Sequence, residues 1–321
     1  MKTVSELTDF YYKTLYPPLQ KLENERKKLR YRIIIIAVFY IVIALVFGLS
    51  FSNSSYFSPH ILAIFGVGHF SFGVFLYKWL LKDYTQEFKT TILGPLIKAI
   101  DEKLSYWSEM HVSELDFNKS ELFTQKPDRF SGNDFVSGEI DGVKIQFSDI
   151  HAQKRHKNSK GQESLETLFQ GLFIVSEFNK NFHGKTIVLA DTAQKTFGSL
   201  LGNWLQSKNM SRDELVKMDD NNFEKEFVVY STDQIEARYI LSHALMTRLL
   251  NFQQKSQHPV YVSFIGGTIY IAIYHKKDLF EPSVFHSLLE YKIAMEYVKT
   301  LHLALGIVEE LKLNQKLWSK R

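Results

Sequence analysis

Seventeen consecutive residues without a charge, Ile33 to Leu49, limit what this chain can fold into more than any other feature. At about 1.5 Å rise per residue, roughly twenty apolar residues cross the roughly 30 Å hydrocarbon layer of a bilayer. Residues 50–59 add no charge, so the run with its flank is long enough. A second uncharged run, Ile61 to Tyr77, follows, and its Gly66, Gly68 and Gly73 suit the close approach of helices in lipid. The stretch between the runs is short, and Pro59 suits the first turn of a helix because its missing N–H has no intrahelical acceptor there. Two spans are therefore expected, about 33–51 and 59–81, joined as a hairpin. A hairpin buried in a soluble core would show polar positions at helical spacing, and the first run has none. A secretory signal is a poor fit too, because the run starts far from Met1 and no small-residue cleavage pattern follows it.

Charge gives the expected orientation. Residues 1–32 hold eight Lys or Arg against four acids, out of 39 and 35 in the whole chain, leaving 31 against 31 elsewhere. Lys78, Lys82 and Lys89 follow the second run. The positive-inside bias places both termini in the cytoplasm, at the inner or plasma membrane. Because the basic excess is confined to the membrane flank, where each cation gains on the order of 1 kcal/mol from anionic lipid, it is no nucleic-acid footprint. The absence of cysteine excludes disulfides, thiolate nucleophiles and Cys-ligated metals. Within the second run His69 is a polar group at membrane depth, and Tyr40 on the first run is a candidate partner.

Four regions follow: a basic amphipathic helix over 1–32 that breaks at Pro17-Pro18, the hairpin over 33–81, a juxtamembrane helix and linker over 82–129, and a soluble domain over 130–321. In that domain the period changes from helical to alternating. Asp141-Gly142 between Phe135–Ile140 and Val143–Phe147 signals a type I′ hairpin, and Gly266-Gly267 between Val260–Ile265 and Thr268–Tyr274 signals another. Further strands are expected at Glu166–Phe178, Lys185–Ala190 and Phe227–Tyr230, with a turn at Asn179-Lys180-Asn181. Residues 151–161 read as a basic loop and 199–206 as a short helix. Ser231 and Gln234 have capping-box spacing for a helix, which Ser242 restarts. From Pro282, apolar residues Val284, Leu288, Tyr291, Met295, Val298 and Leu305 mark one face of a long helix ending near Gly306. The fold class is α+β: an antiparallel sheet with a helical insertion and a closing C-terminal helix, an order of elements shared with pleckstrin-homology-like domains.

Several segments carry a family resemblance: Phe147–Ala152, Gly171–Val175, Asn179–Thr186, Phe227–Asp233 with Glu236-Ala237-Arg238, and Ile269–Ile273. Together they resemble the bacterial family catalogued as domain of unknown function 3137, over about Phe130 to Leu311. The resemblance implies a membrane protein with two spans ahead of a cytosolic domain, and it brings no catalytic residues.

Two groups of side chains are candidate sites. Lys154, Arg155, Lys157 and Lys160 put four cations on one loop beside a membrane, suited to anionic lipid head groups or an acidic protein partner. Asp149, His151 and His183, with His156 and Asp191 nearby, are the types that run acid–base chemistry or bind a metal. They lack any recognised spacing: there is no HExxH, no phosphate loop and no Gly-x-Ser-x-Gly elbow. The expected function is a membrane-anchored binding or scaffold module without cofactor or metal. The alternative is a membrane-associated hydrolase using Asp149, His151 and His183.

Overall fold

The structure, a computed structural model, describes residues 3–52, 59–157, 161, 163–178, 183–190, 214–311 and 313. The chain forms two compact units. One comprises residues 8–96 and 281–296; the other comprises 1–7, 97–280 and 297–321. The unit holding the sheet takes in the chain from Ile97 to Phe280, and residues 281–296 group with the helices.

The helical unit is built on α1 (Val4–Lys13), α2 (Tyr16–Ser52) and α3 (Pro59–Phe88). Pro17 and Pro18 sit in the first turn of α2, where a missing N–H is harmless, so the expected break falls between α1 and α2. With 37 residues, α2 is about 55 Å long. Leu19, Leu22, Arg26, Leu29 and Ile33 recur along its buried side at three- and four-residue steps, the spacing of a coiled-coil seam with one charged member. Farther along, the Tyr40 ring stacks on the His69 imidazole with centroids 3.7 Å apart, and its hydroxyl donates to the His69 carbonyl. A Cβ at Gly73 would stand 3.1 Å from that ring. The small residue thus lets α3 approach α2 closely at this point. After α3 the helix widens into a π turn, Lys89–Leu93, and resumes as α4 (Gly94–Ile100). Pro95 cannot donate to a carbonyl one turn back, and the wider turn accommodates that loss.

Among the described residues, the other unit contains one sheet of nine strands, every pair antiparallel, in the order β1-β2-β3-β4-β9-β8-β5-β7-β6. The strands are β1 (Ser105–Trp107), β2 (Arg129–Ile140), β3 (Val143–Lys157), β4 (Glu163–Glu177), β5 (Lys185–Ala190), β6 (Glu214–Val216), β7 (Phe227–Ser231), β8 (Val260–Ile265) and β9 (Thr268–Tyr274). Asp141, Gly142, Gly266 and Gly267 all have positive φ, so both dipeptides make the tight turns their chemistry favours. The central strands are buried on successive residues rather than alternate ones, so both faces of the sheet are covered. Helices α8 (His243–Ser256) and α9 (Tyr291–Glu310) bury Leu245, Leu249, Phe252, Val298, Leu301 and Leu305. An aromatic cluster of Phe117, Phe123, Phe130, Phe169 and Phe173 fills another part of the core.

Four local expectations are corrected. The stretch after Glu114 is not a free linker: Ser113 caps α5 (Glu114–Lys119) by accepting from the Asp116 N–H, and α5 buries Phe117 in the aromatic cluster. Residues 151–157 are strand, paired with β4 from His151↔Gln170 to Lys157↔Glu163. The cap of α7 (Gln234–Ile240) is Asp233, which accepts from the Ile235 and Glu236 N–H groups, and not Ser231. The long C-terminal helix starts at Tyr291, nine residues after Pro282, and runs past Gly306 to Glu310. A further helix, α6 (Asn221–Glu226), was not foreseen; Asp220 caps it. The turn expected at 179–181 and the helix at 199–206 lie outside the described residues.

Candidate functional site

The late start of α9 has a physical cause inside the helical unit. Residues 281–290 are held as an irregular strap by side chains of α1, α2 and α3. Arg26 donates from Nη1 to the Val284 carbonyl at 2.5 Å, and Glu23 Oε2 accepts from the Leu288 N–H at 3.2 Å. Tyr84 donates to the Ser283 carbonyl and Tyr11 to the Leu288 carbonyl. Lys89 reaches Glu281 at 2.6 Å. Backbone groups that a helix would satisfy internally are satisfied here by tertiary partners, which overrides the helical spacing.

Glu23 and Arg26 form a two-point ion pair, at 2.7 and 2.9 Å, with both side chains only 5% exposed. Burial works against the Glu23 carboxylate, yet hydrogen bonds and charge from Arg26, with donors on Ser287 and Leu288, hold its pKa below the ordinary carboxylate value. Burial also raises the Tyr11 and Tyr84 hydroxyls, keeping both protonated as donors.

Of the four expected loop cations, Lys154, Arg155 and Lys157 occupy the far end of β3. Lys154 faces Asp128 at 3.1 Å and the Lys126 carbonyl; Arg155 faces Glu163 at 3.3 Å and donates its N–H to Asp128. His156 lies 2.9 Å from Glu166. Lys157 is exposed at the end of β3, and Lys160 lies outside the described residues. Acids on neighbouring segments, Asp128 just before β2 and Glu163 on β4, therefore meet the first two cations, which lowers the excess charge around them.

Asp149, His151 and His183 are not brought together. Asp149 is buried on β3 and accepts from the Leu279 N–H at 2.8 Å, while His151, two residues on, lies 3.1 Å from Thr167 Oγ1. His183 precedes β5, which stands four strand spacings from β3, or about 19 Å. Asp191 lies outside the described residues. Among those described, no group of three or more His, Cys, Asp or Glu is arranged to hold a metal ion.

A pair of histidines escaped the sequence reading. His258 and His275, at opposed positions before β8 and after β9, lie with ring centroids 4.0 Å apart and planes tilted by 52°. The His275 N–H donates to the Gln170 carbonyl, which puts Gln170, the partner of His151, in the same row across the sheet. Burial, and then the neighbouring His258, push His275 down to about 4, so this imidazole is neutral near pH 7. The register of the Gly266-Gly267 hairpin was the signal that could have paired the two rings.

One concave surface of the sheet unit is a groove of about 740 Å³ at the end of the strands away from the cationic tip. Its charged lining is two ion pairs, Lys103–Glu139 at 2.9 Å and Lys144–Glu177 at 3.3 Å, with Gln146 and Thr268 beside them. The lining contains no imidazole and no nucleophile with an adjacent base; it offers hydrogen bonds and charge to a polar ligand.

Described residues in several of the segments that carried the family resemblance make backbone contacts that shape the sheet unit. Glu236 accepts from the His183 and Gly184 N–H groups at 2.8 Å each, and Lys185 N–H donates to Thr232 Oγ1 at 2.9 Å. A Cβ at Gly184 would meet Thr232 Oγ1 at 2.5 Å. The motif thus knots the start of β5 to the start of α7. Gly171, in another of the segments, has φ of +148°, and a Cβ there would lie 2.2 Å from the Ile273 carbonyl oxygen.

Comparison with known proteins gives three results. No curated protein matches the chain. Among solved structures, the crystal structure of the mycobacterial trehalose monomycolate transport factor A, TtfA, is similar at a TM-score of 0.33 and 11% identity, covering 66% of this chain and 93% of that one. The sequence model of the family described as "Protein of unknown function (DUF3137)" matches residues 167–313, from within β4 to beyond α9. Over those residues, this chain resembles the family of proteins of unknown function DUF3137.

Proposed function

We propose that α2 and α3 cross a membrane as a two-span hairpin with both flanks on the cytoplasmic side, and that the chain is a non-enzymatic module whose sheet unit binds or scaffolds a partner there. One observation carries the reading. From Ile34 to Leu49, ten large apolar side chains of α2 are 42–69% exposed, and six on α3 from Ile64 to Phe75 are 41–73% exposed. Each helix turns only a narrow stripe to its neighbour and leaves the rest of its apolar circumference uncovered. In water, each half-exposed side chain would forfeit about 1 kcal/mol, and contiguous apolar surface on this scale marks an interaction site. A bilayer removes that cost.

Arg30, Arg32, Lys78 and Lys82 border the apolar lengths of the two helices and form the basic collar that favours the cytoplasmic leaflet. Among the described cations of the β3–β4 tip, contact with anionic head groups or an acidic partner then falls to Lys157, since Lys154 and Arg155 already face acids. The groove beside Lys103 and Lys144 is the binding surface this reading assigns to the sheet unit.

The test is partition of the full chain expressed in a bacterium. Recovery in the membrane pellet after an alkaline carbonate wash, with release only by detergent, is expected. Release by carbonate alone would sink the proposal.

A further inference from the structure

The contacts that hold the strap also give its height along the helices. Lys21 meets Glu87 at 2.9 Å and Tyr40 packs on His69 and Gly73, which fixes the antiparallel register of α2 and α3. In that register Tyr31 stands level with Tyr77 to Trp79, and all three aromatic rings are exposed where the apolar lengths begin. Tyr and Trp at such a level mark a membrane interface.

The strap rises toward that level and falls away again. It enters at Glu281 beside Lys89, climbs to Ser283 beside Tyr84 and Val284 beside Arg26, then descends through Leu288 beside Glu23 and Tyr11. Its apex is the stretch from Val284 to His286. At the apex Phe285 is 52% exposed, although the strap buries Val284 and Leu288 on either side of it. A single exposed Phe is ordinary on a protein surface; the position of this one is what matters. Arg26 is five residues from Tyr31, so the apex lies about 7 Å below the aromatic level. The head-group layer on each side of a roughly 30 Å hydrocarbon core is itself roughly 5–8 Å deep.

We propose that the strap over residues 281–290 is a membrane-contacting element, with Phe285 docked in the head-group layer of the bilayer that α2 and α3 span. The proposal rests on the membrane reading above and adds a contact made by a segment remote in sequence from the spans. Lys27 and Lys28, both exposed on α2 near this height, supply cations to the same layer.

The chain has no cysteine, so single-cysteine spin labels report one site each. Full chains carrying Phe285→Cys, Ile41→Cys or Gln20→Cys are labelled and placed in vesicles containing anionic lipid, and collisions with oxygen and with a water-soluble nickel chelate are measured. The proposal expects Ile41 shielded from nickel, Gln20 open to it, and Phe285 several-fold less open than Gln20. If Phe285 matches Gln20 while Ile41 is shielded, the strap does not touch lipid and the span reading stands. If Ile41 is as open as Gln20, both readings fall.

Discussion

Replacing Glu23 by Leu is expected to release the strap, at a cost of about 3–5 kcal/mol, because Arg26 is left as a buried charge without its carboxylate. The loss also strands the Leu288 N–H, which Glu23 accepts. Hydrogen exchange in detergent or nanodiscs reads this directly: the strap amides of residues 283–290 should exchange roughly a hundredfold to a few thousandfold faster, while β8 and β9 stay protected. A double variant, Glu23→Leu with Arg26→Met, should fall well short of the summed single effects, because removing both charges removes the uncompensated one. Equal exchange in wild type and Glu23→Leu would show that the pair does not hold the strap. The pH dependence has the same origin. The Glu23 pKa is depressed by folding, so the stability it contributes is present above the unfolded carboxylate value and is lost as pH falls through the folded one.

Gly171→Ala should prevent the sheet from forming. Its φ of +148° is strained for any residue with a Cβ, and the added atom would lie 2.2 Å from the Ile273 carbonyl oxygen and 2.6 Å from the His275 nitrogen. Both are backbone atoms of β9 or its end, so relief requires moving a central strand. The expected cost is at least about 4 kcal/mol. Gly142→Ala is the matched control, with positive φ but nothing within 4 Å, and should cost only about 1–2 kcal/mol. Protease resistance of the sheet unit in the full chain separates them; similar resistance in the two variants would contradict the close packing of β4 on β9.

Local turn chemistry was legible, and tertiary capture was not. Asp141-Gly142 and Gly266-Gly267 announced two hairpins because few residues tolerate positive φ at both turn positions. The apolar runs announced α2 and α3 because length and lack of charge are properties of the chain itself. By contrast, Val284, Leu288, Tyr291 and Met295 have helical spacing, but only the last two lie in α9. The backbone of the first two is claimed by Arg26, Glu23 and Tyr11, and no local pattern records that.

The candidate sites divide in the same way. Glu23 and Arg26 look like an ordinary surface pair three residues apart, and only the folded chain shows them buried. Residues 154–157 looked like a loop because the acids they meet lie elsewhere in the chain, Asp128 before them and Glu163 and Glu166 after, and strand pairing brings the sets together. His258 and His275 went unremarked because register, not sequence distance, makes them neighbours. The hydrolase alternative depended on an encounter of β3 with β5, which the strand order keeps apart.

The most direct test of the account is sided labelling of single cysteines in sealed membrane vesicles with a membrane-impermeant maleimide. Gln20→Cys before the first apolar run, Ser55→Cys between the runs and Glu102→Cys after the second are each probed in right-side-out and inside-out preparations. A two-span hairpin predicts that Gln20 and Glu102 react from the cytoplasmic face and Ser55 from the opposite one. Reaction of all three from a single face would contradict it.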